Sequence, residues 1–250
     1  MKKLHIIILS FILLNSCQKA KDCFSNSGKE ITIEQKLANF DSLYIENVFE
    51  VELIQDTINS ISIKGHEAFV NSTNFKIENN TLIIDNNHKC KFSKPKTNSV
   101  LINIHVKRIS FIRLDGSSKI FSKNELTNFN EIGLVATSKY NDADLIVNSQ
   151  VFYFWNNHLN GGKIKVKGNV ETLKLWNTSL ASVDASNLIS KNVLVENNSK
   201  GDCKVRVSNK LDCKITGTGN VYYFGMPNTI VYNDSLSIGG KLLFGGQYDN

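Results

Sequence analysis

A recurrence of about twenty residues constrains what this chain can fold into. Ser118, Ser138, His158, Ser179, Ser199 and Gly219 follow one another at intervals of 20, 20, 21, 20 and 20 residues. Four positions before these anchors stand Leu114, Leu134, Phe154, Leu175, Val195 and Ile215, and six before stand Ile112, Ile132, Phe152, Leu173, Val193 and Cys213. All twelve are apolar. Two before come Gly116, Ala136, Asn156, Asn177, Asn197 and Gly217, each small or turn-forming. Residues two apart on a strand share a face, so both apolar columns point into one core. A small residue or Asn then permits the bend that ends the strand. A chain returning at this interval stacks like on like, with neighbouring coils about 4.8 Å apart. The expected fold class is all-β, a parallel β-helix (β-solenoid) with coils of about 20 residues. An evenly spaced β-sandwich explains the alternation but not columns of like residues.

The rest of the chain agrees. Segments such as Leu43-Tyr44-Ile45, Val51-Glu52-Leu53 and Ile61-Ser62-Ile63 alternate with the period of a half-buried strand. Only 2 prolines occur in 250 residues, and no long stretch beyond the N-terminus has helical period. Asn156, Asn177 and Asn197 should form a ladder of amide hydrogen bonds along the stack.

The repeated apolar-x-apolar-x-small-x-Ser units resemble the head GIN domain of auto-transporter adhesins. The stretch Val193 to Pro227 carries the resemblance best, above all Gly217-Thr218-Gly219-Asn220-Val221-Tyr222-Tyr223-Phe224-Gly225-Met226-Pro227. Val183-Asp184-Ala185 and the opening Phe40-Asp41-Ser42-Leu43-Tyr44-Ile45 fit as well, so the likeness covers roughly 40–231. It implies a right-handed β-helix-like coil, and about activity it implies little beyond the adhesin label. The chain departs from the family's usual rung by using Asn and Thr, and His158 replaces the anchor Ser.

The N-terminus has the form of a secretory signal: Lys2 and Lys3, an apolar run from Leu4 to Leu14, then Asn15-Ser16-Cys17. The run is too short for a permanent span. Leu14 to Cys17 resembles a lipobox. That resemblance implies diacylglycerol on the Cys17 thiol, cleavage before it, and a further acyl chain such as palmitate on the new amine, which suffices for stable membrane anchoring. No Asp follows Cys17, which fits an outer-membrane lipoprotein, periplasmic or surface-exposed. The expected organisation is signal peptide 1–16, tether 17–38, solenoid domain 39–232 and C-terminal cap or tail 233–250.

Without Lys2 and Lys3, the 29 basic residues become 27 against 23 acidic, a mild and scattered excess that gives nucleic-acid binding no support. Cys23, Cys90, Cys203 and Cys213 leave three pairings open. Cys203 and Cys213 lie half a coil apart, on opposite walls, and are expected as buried thiols. His88 and Cys90 alone do not make a metal site, and Asp142 with Asp144 lacks the further oxygens calcium needs. No cofactor or metal is expected, and no catalytic motif is found.

Between the core columns lie residues that should face outward. Five before the anchors these are Arg113, Gly133, Tyr153, Lys174, Leu194 and Lys214; three before, Asp115, Val135, Trp155, Trp176, Glu196 and Thr216. Both tryptophans fall in one column on adjacent coils. The expected binding face is therefore Tyr153, Trp155, Trp176, Lys174, Val135, Leu194 and Glu196, an apolar patch with a charged rim that marks an interaction site. Its partner is a glycan, a cell-surface protein or, as a homo-oligomer, a second copy. A polysaccharide-degrading enzyme is the alternative, but it needs paired carboxylates that the outer columns lack. A structural spacer without a ligand is the third reading.

Overall fold

The computed structural model describes residues 28–87, 100–137, 139–157, 159–233 and 237–247. Over them the chain winds into a parallel β-solenoid of about 6 turns, with coils of about 21 residues. The first part contains β1 (Glu30–Lys36), β2 (Ser42–Ile45), β3 (Glu50–Gln55), β4 (Ser60–His66), the short helix α1 (Glu67–Val70), β5 (Thr73–Glu78), β6 (Thr81–Asn86) and β7 (Leu101–Val106). The regular stack follows with β8 (Phe111–Leu114), β9 (Lys119–Ser122), β10 (Leu126–Ala136), β11 (Lys139–Tyr140), β12 (Asp142–Asn156), β13 (Asn160–Ser199) and β14 (Cys203–Ile215). The chain closes with β15 (Val221–Phe224), β16 (Thr229–Asn233) and β17 (Leu242–Gly246).

Two walls enclose the core. In the first, the spatial order is β6, β2, β8, then the second halves of β10 and β12, β13, β14 and β16, all parallel. In the second it is β7, β3, β9, the first half of β12, β13, β14, β15 and β17. Period-two alternation puts one set of side chains between the walls. Ile112, Leu134, Phe154 and Leu175 follow one another in register and are each 0 % exposed.

The register departs from the expected columns at both ends of the regular stack. Ile112 pairs with Leu134 and Leu114 with Ala136, and Val195 pairs with Cys213 and Asn197 with Ile215. The sequence spacing had put Leu114 beside Leu134 and Val195 beside Ile215. The slip is two residues each time, which keeps every side chain on its own face. The core tolerates it because Ile112 with Leu134, Leu114 with Ala136 and Val195 with Cys213 are all apolar pairs, while Asn197 beside Ile215 donates to the Gly201 and Gly219 carbonyls.

Coils do not stack in chain order at the N-terminal end. β2 lies between β6 and β8, and β3 between β7 and β9. The chain thus starts inside the stack, builds outward and crosses back. The outermost layer is antiparallel: β5 on β6, β4 on β7, and β1 on β4, with Phe69 and Val70 of α1 buried beneath. β1 falls within the segment 17–38 expected as a tether, and it ends the second wall with a strand bearing Glu30, Glu34 and Lys36, which discourages further pairing. At the other end, Ile230 and Phe244 continue the inward columns of Leu211 and Tyr223, yet remain 43 % and 53 % exposed.

The corner asparagines Asn156, Asn177 and Asn197 are buried. Asn177 Nδ2 donates to Asn197 Oδ1 at 3.2 Å. Asn156 instead donates to the Thr178 carbonyl at 3.0 Å and accepts from the Thr178 amide at 2.7 Å, so the side-chain ladder joins two of the three. Cys203 and Cys213 are free, buried and on different walls. Cys23 and Cys90 lie outside the described residues.

Candidate binding surface

The outer column of the first wall reads Ile83, Tyr44, Arg113, Val135, Trp155 and Trp176 in register. The two tryptophans are direct neighbours on β12 and β13, as the twenty-one-residue step required. Trp155 is 40 % exposed, and Trp176 is half-buried. One column across, Tyr153 pairs with Gly133 on one side and Lys174 on the other. Its ring lies over Gly133, where a methyl group would collide with it. Burial, and next the Glu131 charge, raise the Tyr153 hydroxyl above its ordinary value, so it stays a neutral donor at physiological pH.

Val135 departs from the expected face. It stands in the outward column but is only 8 % exposed. The register places it between Arg113 and Trp155, both longer than a valine. It supports the surface without belonging to it. Arg113 is held by the Tyr44 ring, 4.7 Å from its guanidinium carbon. The Tyr44 hydroxyl donates to Asp115 at 2.8 Å, and Thr137 bonds the same carboxylate. Leu194 is half-buried and pairs with Asp212. Glu196 lies 3.8 Å from Lys214, a half-exposed pair that contributes little to stability.

The surface extends further than the sequence reading. Around the corner from the tryptophans, Tyr140 is 52 %, Leu159 78 % and Leu180 61 % exposed. Gly161 sits between Tyr140 and Leu180, with its missing side chain 3.5 Å and 3.7 Å from them. Leu159 and Leu180 each follow an anchor position, so one more column beyond the anchors carried this signal. Leu159 also has φ +66°, a left-handed conformation that favours Gly or Asn and costs a leucine about 1 kcal/mol.

Asp142 is engaged by the Lys163 amide at 2.9 Å. Among the described residues no group of three or more His, Cys, Asp or Glu is placed to hold a metal, and no helix is long and apolar enough to cross a membrane. Cys17, His88 and His158 lie outside the described residues.

Residues 39–227 match the family described as "Putative auto-transporter adhesin, head GIN domain". No curated protein matches the sequence. Among solved structures, a putative adhesin from Bacteroides fragilis is similar at TM-score 0.75 and 19% identity, over 88% of this chain and 95% of that one. A putative adhesin from Parabacteroides merdae gives 0.57 and 17%, over 89% and 97%. A putative lipid binding protein from Parabacteroides distasonis gives 0.57 and 15%, over 89% and 98%. At these identities the likeness establishes the fold.

Proposed function

Because the chain belongs to the head GIN domain family across 39–227, we propose that it is a non-catalytic, adhesin-like lipoprotein of the outer membrane, anchored through Cys17 and binding its partner through the Trp155–Trp176 face. The observation that carries this reading is the in-register pair of tryptophans, continued around the corner by exposed Leu159 and Leu180. Solvated leucines beside aromatic rings suit the apolar anchor of a cell-surface protein, and the flat rings also fit the face of a sugar. Leucine held in a left-handed conformation while exposed is locally costly, and such costs concentrate where a residue serves contact.

Beads coated with the purified protein should adhere to target cells, and Trp155→Ala with Trp176→Ala should abolish adhesion while the far-ultraviolet spectrum stays unchanged. Protease treatment of the target removes adhesion if the partner is a protein; periodate removes it if the partner is a glycan. Equal adhesion by the double variant overturns the contact face, and sugar cleavage by the wild type overturns the non-catalytic reading. The anchor is tested separately: Cys17→Ala should move the protein from the membrane fraction to the soluble one and end palmitate labelling.

Exposed Ile230 and Phe244 at the open end of the core favour a second reading, end-to-end pairing of two copies through β16 and β17. Light scattering should then report a dimer that Phe244→Lys dissociates.

A further inference from the structure

A groove follows the corner at which each coil enters the first wall. It consists of three depressions of about 360, 460 and 490 Å³. The first two share Asp41 and Arg108, and the last two share Asn128 and Gln150, so they join end to end. The stacking sets its direction. Thr127, Asn148 and Asn169 are in-register neighbours on successive strands, and the lining continues to Lys191 in the coil beyond. The groove therefore runs along the solenoid axis and meets a new coil about every 4.8 Å.

Its charge is balanced, and polar side chains alternate with exposed apolar ones, Phe129 and Ile189. Three bases, Lys107, Arg108 and Lys191, face three acids, Asp41, Glu131 and Glu171. Two of these pairs approach each other, Lys191 to Glu171 at 2.8 Å and Arg108 to Asp41 at 3.9 Å. Exposed amides repeat along the length at Asn130, Asn148, Gln150 and Asn169. Phe129, on the same lining, is 85 % exposed. Balanced charge disfavours nucleic acid, which needs a net basic track. The β12 strand at the centre of the groove is paired on both sides, with β10 and with β13, so it offers no free edge to an added peptide strand. Amides that both donate and accept, repeated coil by coil beside an exposed ring, match a chain of hydroxyl-bearing rings.

We propose that this corner groove binds a linear, neutral oligosaccharide laid along the solenoid axis, successive sugar units facing successive coils. Gln150 and Asn169 supply the paired donor and acceptor, and Phe129 the face on which a sugar ring packs. The site does not depend on the tryptophan face. Along β12, Gln150 and Trp155 are separated by about 16 Å at a strand's rise per residue.

Calorimetric titration of the purified protein with linear glucans, mannans and xylans tests it. One class should bind, with affinity rising with chain length until the groove is filled and unchanged by salt, because no net charge is engaged. Gln150→Ala with Asn169→Ala, and separately Phe129→Ala, should each weaken binding about tenfold or more. All three residues are solvent-exposed, so unfolding midpoints should stay put. Trp155→Ala with Trp176→Ala should leave this binding intact even where it abolishes cell adhesion. The proposal is overturned if no neutral glycan binds, if only charged ones bind and are lost in high salt, or if binding survives the groove variants and vanishes in the tryptophan variant.

Discussion

Asn177 and Asn197 lie one above the other inside a corner of the solenoid, the amide nitrogen of the first donating to the amide oxygen of the second at 3.2 Å. Each is also tied to its own bend: Asn177 donates to the Ala181 carbonyl at 2.8 Å and Asn197 to the Gly201 carbonyl at 3.2 Å. Asn197 reaches the next coil as well, at the Gly219 carbonyl, 3.0 Å away. The same side chain that closes one turn therefore clips that turn to its neighbour. Carbonyls that the strand ladder cannot use at a corner find partners in this way.

Asn177→Leu should lower the unfolding free energy by about 2 kcal/mol, since it removes buried hydrogen bonds and keeps the volume. Asn177→Asp should cost more, because a charge is then buried without a counter-ion. Asn198, next to the ladder but exposed, is the control, and its replacement by Ala should stay within about 0.5 kcal/mol. Urea titration reads all three. A cost for Asn198→Ala equal to that of Asn177→Leu would show that the ladder contributes nothing special.

Gly168 and Gly161 make a second contrast. Gly168 has φ +116°, and a methyl group there would run into the Val147 carbonyl oxygen of the coil below. At Gly161 the same methyl would meet side chains no closer than 3.5 Å. Gly168→Ala should therefore destabilise by about 2 kcal/mol or more, while Gly161→Ala should be neutral or slightly stabilising. Chemical denaturation midpoints separate the two, and equal midpoints would contradict the close approach at Gly168.

The legible parts of the fold were those that depend on parity. Two apolar positions per coil identified the inner face of each strand from Ile112 to Cys213, and the step from Asn156 to Asn177 placed Trp155 beside Trp176. Register was less legible, because Leu114 beside Leu134 and Ile112 beside Leu134 are equally apolar pairings. The slip also set Arg113, and not Asp115, next to Val135. The interleaving of β2 between β6 and β8 left no trace, since β2 alternates like any other strand. The corner groove was invisible for another reason: Phe129, Gln150 and Asn169 come from different coils and form no motif in any one of them.

Leu159 offers a test that separates contact from packing. Its side chain is 78 % exposed and its backbone left-handed, with φ +66°. Asn adopts that conformation readily, so Leu159→Asn should leave stability unchanged or raise it by up to about 1 kcal/mol. Adhesion through the tryptophan face should fall about tenfold at the same time, as for loss of one interfacial anchor. A fall in stability with adhesion intact would make Leu159 a structural residue and shorten the contact face.

Burial pushes the Cys203 and Cys213 thiols up to about 12 from an ordinary 9.0, with the Cys203 charge adding a smaller push on Cys213. Folding therefore keeps both protons on, while the unfolded chain begins to release them near pH 9. Above that point the unfolded state binds fewer protons than the folded one, so stability falls as pH rises. The contribution is fully present below about pH 9 and is lost between about pH 9 and pH 12, with a slope of up to about 1.4 kcal/mol per pH unit for each thiol. Tyr44, raised to about 12 mainly by burial and next by its bond to Asp115, acts in the same direction from its ordinary 10.0 upward. Urea midpoints measured from neutral pH into this window should decline for the wild type and decline less steeply for Cys203→Ala with Cys213→Ala. Both thiols should also resist a thiol reagent until denaturant is added. Identical slopes in the two proteins, or rapid labelling of the folded one, would mean that the inner faces of the walls admit water at these positions.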